Sequence, residues 1–231
     1  MIVGTGLLAT ALARRYADDE TVLVFASGVS NSKETRVTEF AREADLLRAT
    51  AESYSKAHFV YFSTCSIDDP DRSASPYVQH KIAMELCVGA FPSHSIFRLP
   101  QVVGKTDNPN TLANFLYLKI VSGEHFTVWT EAWRHLIDVA DVGLIAEAMI
   151  NRYEYHGRPV NIACTYPTKM PQLVEIFERV LRRTAVCELV PRGEGSVINV
   201  GDTREIMKSC GIEFDAGYVE RTIGKYYANK G

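Results

Sequence analysis

No two cysteines in this 231-residue chain stand in a C-x-x-C spacing; Cys65, Cys87, Cys164, Cys187 and Cys210 are scattered and odd in number. A disulfide framework or a structural zinc site is therefore not expected. The six histidines, His58, His80, His94, His125, His135 and His156, form no H-x-x-x-H or H-E-x-x-H pattern, and no metal site follows from them. Charge of one sign is missing too: 25 basic and 28 acidic residues are interspersed for a net −3, which leaves no basic stripe for a nucleic-acid backbone. No apolar run reaches the length of a membrane span, and Met1-Ile2-Val3-Gly4 opens without a basic leader. The expectation is a cytoplasmic protein with no membrane and no nucleic-acid partner. Ser27-Gly28-Val29-Ser30 offers no G-x-S-x-G elbow, which argues against a hydrolase.

What is present is a chain with enough hydrophobic residues, 46%, for one substantial core. β-Branched and aromatic blocks at Ile2-Val3, 21–26, 58–63, 95–98 and 159–163 read as buried strands. Helical spacing fills 7–16, 38–54, 76–88, 112–122 and 139–151. Strands alternating with helices imply a parallel sheet covered on both faces. After Asn161 the pattern changes to a helix over 170–183, a strand near 186–190 and a last helical stretch over 203–210. The expected division is a nucleotide-binding body over 1–161, with an excursion near 105–135, and a smaller α/β lobe over 162–231.

Gly4-Thr5-Gly6-Leu7-Leu8-Ala9 fits G-x-G-x-x-A where a strand ends and a helix begins. Such a turn lets backbone amides approach a pyrophosphate and aims a helix amino terminus at its charge. It could equally be a tight turn with no ligand. The acid that ordinarily follows about 20 residues later to hold a ribose is absent: the next strand ends Phe25-Ala26-Ser27-Gly28, and Glu20 precedes that strand.

Phe62-Ser63-Thr64-Cys65-Ser66 closes a strand, and Ser75-Pro76-Tyr77-Val78-Gln79-His80-Lys81 opens a helix, with Ser75 as N-cap and Pro76 in the first turn. Positions i and i+4 share a helix face, so Tyr77 and Lys81 can reach one small volume. An ammonium there should lower the phenol pKa toward a useful proton-transfer value. Tyr226 and Lys230 repeat the spacing, so context and not spacing singles out Tyr77.

Taken in order, the glycine turn, Ser63-Thr64, Tyr77-x-x-x-Lys81, Phe97 to Gly104, Gly123 to Val128 and Trp133 to Val142 resemble the extended short-chain dehydrogenase/reductases. More closely, the chain looks like the NAD-dependent epimerase/dehydratase family acting on nucleotide sugars. The resemblance implies an α/β fold, a Rossmann-like doubly wound parallel sheet with a small carboxy-terminal α/β substrate lobe. It casts Thr64 as the catalytic hydroxyl, Tyr77 as acid/base, and Lys81 as the residue that lowers the phenol and holds the nicotinamide ribose. Gly4, Gly6, Leu7, Leu8, Ala26, Ser27, Leu99 and Pro100 would line NAD or NADP, and Ser66, Asn110 and Arg134 would meet the nucleotide sugar.

Against the family pattern, Phe25-Ala26-Ser27-Gly28 looks like its fourth strand and not its second. Two βα units are missing, and the sheet should narrow to about five strands. Either NAD(P) is held weakly by its pyrophosphate and nicotinamide ends, or the chain is a cofactor-free nucleotide-sugar-binding or partner-binding protein. Cys65 and Ser66 follow Thr64 where the family's dehydratases carry an Asp-Glu pair, which leaves reduction or epimerisation. The resemblance also implies a homodimer built on the helices over 38–54 and 76–88. Of the remaining candidates, Arg98 should pair with a carboxylate and Asp138 or Asp141 should cap a helix, while Asn110 and Asn114 suit capping and sugar contact equally.

Overall fold

The structure is a computed structural model that describes residues 1–69, 72–195 and 197–228, with only the backbone at 202. Lys230, half of the second Tyr-x-x-x-Lys match, lies outside the described residues. The chain forms two compact units, one of 1–99, 139–162 and 199–211, the other of 100–138, 163–198 and 212–231.

The first unit holds a parallel sheet in the order β1-β2-β3-β4-β9. Its strands are β1 (Ile2–Val3), β2 (Val22–Phe25), β3 (His58–Thr64), β4 (His94–Leu99) and β9 (Pro159–Asn161). In the doubly wound order 3-2-1-4-5-6, removing the second and third strands sets the first beside the fourth, which is how β1 comes to lie directly beside β2. The expected five strands are those observed, and the two missing units have no counterpart among the described residues.

On one face Leu23, Phe25, Phe59, Tyr61 and Ile96 pack with Leu47 of α2 (Val37–Ser53) and with Met84 and Val88 of α3 (Pro76–Gly89). Their strand neighbours Val24, Val60 and Phe97 point the other way and are fully buried as well. There α1 (Leu7–Tyr16) packs on β1 and β2 and against α5 (Val139–Ile150). With both faces covered, the strands read as continuous apolar runs, as parallel strands must. All five run the same way, so their carboxyl ends share one edge.

In the second unit β5 (Gln101–Val103) pairs parallel with β8 (Leu136–Asp138), and β6 (Phe126–Trp129) pairs parallel with β11 (Cys187–Val190). The antiparallel pair is β7 (Trp133–Arg134) with β10 (Thr168–Lys169). Leu116 of α4 (Leu112–Ser122), Leu173 and Phe177 of α6 (Met170–Leu181) and Ile223 and Tyr227 of α8 (Tyr218–Tyr227) close its core. The expected last helical stretch is the short α7 (Arg204–Ser209), which belongs to the first unit, and α8 of the second unit follows it where the sequence suggests no element. Among the described residues no helix is long and apolar enough to cross a membrane.

Candidate active site

β3 delivers Thr64 to the carboxyl edge of the sheet, and α3 starts twelve residues later under the cap that Ser75 provides, its Oγ accepting from Val78 N at 3.2 Å. Pro76 sits in the first turn as expected. Thr64 and Tyr77 are both buried, and the Thr64 hydroxyl acts on the Tyr77 phenol. Thr64 Oγ1 also accepts from Ser66 N at 3.1 Å, which fixes the hydroxyl and the half-buried Ser66 in one turn. One residue before it, the Ser63 hydroxyl is buried with no hydrogen-bond partner among the described residues.

Lys81 is brought next to Tyr77 on the same helix face, its Nζ 6.0 Å from the Tyr77 ring centre. Its bonds go elsewhere. Nζ donates to Glu43 Oε1 at 2.9 Å and to the Tyr61 hydroxyl at 3.0 Å, and Tyr61 in turn donates to the same Oε1 at 2.6 Å. Glu43 Oε2 accepts from Val29 N at 2.6 Å and from His80 Nε2 at 2.9 Å. Glu43 is 0% exposed and Lys81 2%. Burial alone would raise the Glu43 carboxyl, but the Lys81 charge and the bonds from His80, Tyr61 and Val29 hold it well below the usual carboxylate range. Burial lowers Lys81, and Glu43 opposes that.

The phenol moves opposite to expectation. Burial pushes Tyr77 up to about 12 in spite of the Thr64 hydroxyl, and the Glu43 charge adds to the rise. The expected lowering by Lys81 assumed an unpaired ammonium, whereas this one is paired with a carboxylate. Glu43 and Tyr61 were missed in the sequence. The signal for Glu43 was there: it interrupts the apolar stripe Phe40, Ala44, Leu47 and Ala51 of α2, a position where an acid needs a buried partner.

The glycine turn closes β1. Gly4 has φ +126°, and a Cβ there would lie 2.5 Å from Ala26 O, so only glycine lets the turn lie against the end of β2. Around a Cβ on Gly6 there would be nothing within 4 Å. Gly6 begins α1 without a side-chain cap, which leaves the helix amino terminus to other partners. Ala26 and Ser27, half-buried at the end of β2, follow directly.

The other candidates are accounted for by their partners. Arg98 forms two bonds to Glu85, at 2.9 and 2.7 Å, and one to Asp68 at 2.9 Å, the expected carboxylate pairing. Cys65 donates to Arg98 O, and burial raises its thiol, so it is no ready nucleophile. In the second unit the Asp138 carboxylate, expected as a possible cap, accepts from Lys225 at 2.7 Å and Tyr226 at 2.6 Å. Asn114 is not a cap: Thr111 caps α4, and the Asn114 amide is held by Thr106 O, Asn108 O and the Tyr227 hydroxyl. Asn110 is exposed, and Arg134 donates to Trp133 O. Leu99 is buried and Pro100 half-buried.

A five-stranded parallel sheet covered by helices on both faces, with a glycine turn after its first strand, is a Rossmann-like α/β fold. Solved structures share it. A dTDP-glucose 4,6-dehydratase from Bacillus anthracis in complex with NAD matches 98% of this chain and 79% of its own, at 15% identity and a TM-score of 0.69. A UDP-glucuronic acid 4-epimerase from Bacillus cereus, solved with UDP-glucuronic acid and NAD, matches 95% and 77% at 14% identity and a TM-score of 0.69. RMD from Pseudomonas aeruginosa, complexed with NADPH, matches 98% and 89% at 16% identity and a TM-score of 0.62. No curated protein sequence matches the chain. The NAD dependent epimerase/dehydratase family matches residues 21–163, more than half of the chain, and the protein belongs to that family.

The residues fit the phosphate end of a dinucleotide: a glycine turn with open space around Gly6 and a helix start without a side-chain cap suit it. The strand end that ordinarily supplies a ribose-binding acid is absent from the five-stranded sheet.

Proposed function

We propose that the chain is an NAD(P)-dependent nucleotide-sugar epimerase or reductase of the extended short-chain dehydrogenase/reductase type. The observation that carries this is the placing of Thr64 at the carboxyl end of β3 and of Tyr77 in the first turn of α3, both buried, with Lys81 Nζ 6.0 Å from the Tyr77 ring centre. Thr64 orients the reacting sugar oxygen, and Tyr77 moves a proton to or from it. Bound NAD(P) would supply hydride exchange at the carbon bearing that oxygen. Gly4, Gly6, Leu7 and Leu8 with Ala26 and Ser27 would take the pyrophosphate side, and Leu99 and Pro100 the nicotinamide side. Of the three Lys81 N–H groups, two go to Glu43 and Tyr61, which leaves one for the nicotinamide ribose. Ser66, Asn110 and Arg134 are assigned to the sugar nucleotide on the family resemblance. Dehydration is disfavoured because Cys65, where those enzymes carry an acid, is a buried thiol raised in pKa. A homodimer built on α2 and α3 is also proposed, since Val37 and Leu86 on those helices are exposed; light scattering that shows a monomer at micromolar concentration would exclude it.

A second reading is a cofactor-free nucleotide-sugar-binding or partner-binding protein, favoured by the two-residue β1 at the sheet edge. Thermal shift with UDP- and dTDP-sugars, with and without NAD(H) and NADP(H), separates the two. Stabilisation that requires the dinucleotide supports the enzyme, and stabilisation by the sugar nucleotide alone supports the binding protein.

A further inference from the structure

The Glu43 carboxylate receives four donors, two on each oxygen: Tyr61 and Lys81 on Oε1, Val29 N and His80 on Oε2. A carboxylate has about four lone-pair sites, so this one has none left to offer a substrate. It cannot serve as a base, but it joins four elements: the loop after β2, β3, α2 and α3. Gly28 lies directly over the pair, since a Cβ there would be 2.7 Å from Lys81 Nζ and 2.8 Å from Glu43 Oε1. His80 is held flat by Phe40 at 4.6 Å between ring centres.

We propose that Glu43 is a positioning residue of the active site: by binding Lys81 in a buried ion pair it withdraws the ammonium charge from Tyr77, so that Tyr77 stays protonated and acts first as a proton donor. This rests on the reading of Tyr77 as the proton-transfer group, and it deepens that reading toward a substrate that presents a carbonyl oxygen to be reduced. Two opposite charges 2.9 Å apart present a dipole to a ring 6.0 Å away, whose field falls off faster than that of a lone ammonium. The charged and titratable groups that face Tyr77 are Glu43 from α2, Tyr61 from β3, Cys65 from the turn after β3, and Arg72 before α3. Those that face Lys81 are Glu43 and Arg42 from α2, Tyr61 from β3, and Glu85 and Tyr77 from α3. Two of them touch the ammonium, the Glu43 carboxylate and the Tyr61 hydroxyl, and Glu43 is the charged one.

The test is the ionisation of Tyr77 read directly, with no turnover required. The full chain is labelled with 13Cζ-tyrosine and 15Nζ-lysine, the Tyr77 and Lys81 resonances are assigned by their loss in Tyr77→Phe and Lys81→Met, and pH is raised from 6 to 10. In wild type Tyr77 should remain the phenol throughout; a phenolate midpoint inside that range would show that the Lys81 charge reaches the phenol despite Glu43 and would overturn the proposal. In Glu43→Gln, where burial acts on Lys81 unopposed, either Lys81 should lose its proton or Tyr77 should become phenolate within that range; an ammonium and a phenol both unchanged to pH 10 overturn the proposal. Should that variant not fold, the wild-type titration decides alone. Retained turnover in Tyr77→Phe would remove the functional reading while leaving this titration standing, so the two can fail separately.

Discussion

Lys81 Nζ lies 2.9 Å from Glu43 Oε1, with both side chains almost out of solvent. Removing one member strands a buried charge, whereas removing both does not. Lys81→Ala or Glu43→Ala is expected to cost about 3–5 kcal/mol, and the neutral pair Glu43→Gln/Lys81→Met clearly less than either. Urea denaturation of the three variants checks this; equal losses in all three would show that the pair is not energetically coupled.

Gly28 and Gly89 make a matched comparison. Alanine at 28 drives a methyl into the Lys81–Glu43 pair and should destabilise by about 1–3 kcal/mol. Alanine at 89, the last residue of α3 with open space around it, should be neutral or stabilise by up to about 1 kcal/mol. Melting curves of the two variants give the comparison.

The raised phenol of Tyr77 has a pH signature. Free tyrosine ionises near ~10, while burial holds Tyr77 to about 12. A folded pKa above the unfolded one contributes stability that is complete below about 10 and is lost as pH rises toward 12. The stability advantage of wild type over Tyr77→Phe should therefore shrink by roughly 2–3 kcal/mol between pH 10 and 12. Taking the difference cancels the other raised tyrosines, Tyr16, Tyr61 and Tyr227. Denaturation at intervals of half a pH unit measures it, and a constant gap would contradict it.

Thr64→Val removes the hydroxyl that acts on the Tyr77 phenol and that accepts from Ser66 N. Loss of one preorganised donor is expected to lower kcat about 10²–10³-fold with little change in KM, and Thr64→Ser should restore most of it.

Much of this fold is legible in the sequence, and the reasons are local. The helices over 7–16 and 112–122 were bounded to the residue because punctuation marks them: Gly6 before the first, Thr111 before the second and Gly123, at φ +69°, after it. The five-strand width is legible because each strand of the sheet is an apolar block of its own in the sequence. The helix over 218–227 was missed, although Tyr218, Val219, Thr222 and Ile223 have helical spacing; Gly224 lies within it and Gly217 gives no side-chain cap. At the candidate site Tyr77 and Lys81 stand out by context, Tyr77 at a helix start 13 residues after a hydroxyl-rich strand end, and Thr64 by the family resemblance. The partners of Lys81 do not, because Glu43 and Tyr61 reach it from α2 and β3 across the core. The direction of the Tyr77 shift is not legible for the same reason: burial and ion pairing are properties of the packed unit.

The most direct measurement is turnover by wild type and Tyr77→Phe on a panel of UDP- and dTDP-hexoses and 4-keto-hexoses with NAD(H) and NADP(H), alongside melting curves. The expected result is activity in wild type and a loss of at least about 10²-fold in Tyr77→Phe with the melting temperature retained. A variant as active as wild type would contradict the assignment of Tyr77 as the group that moves the proton.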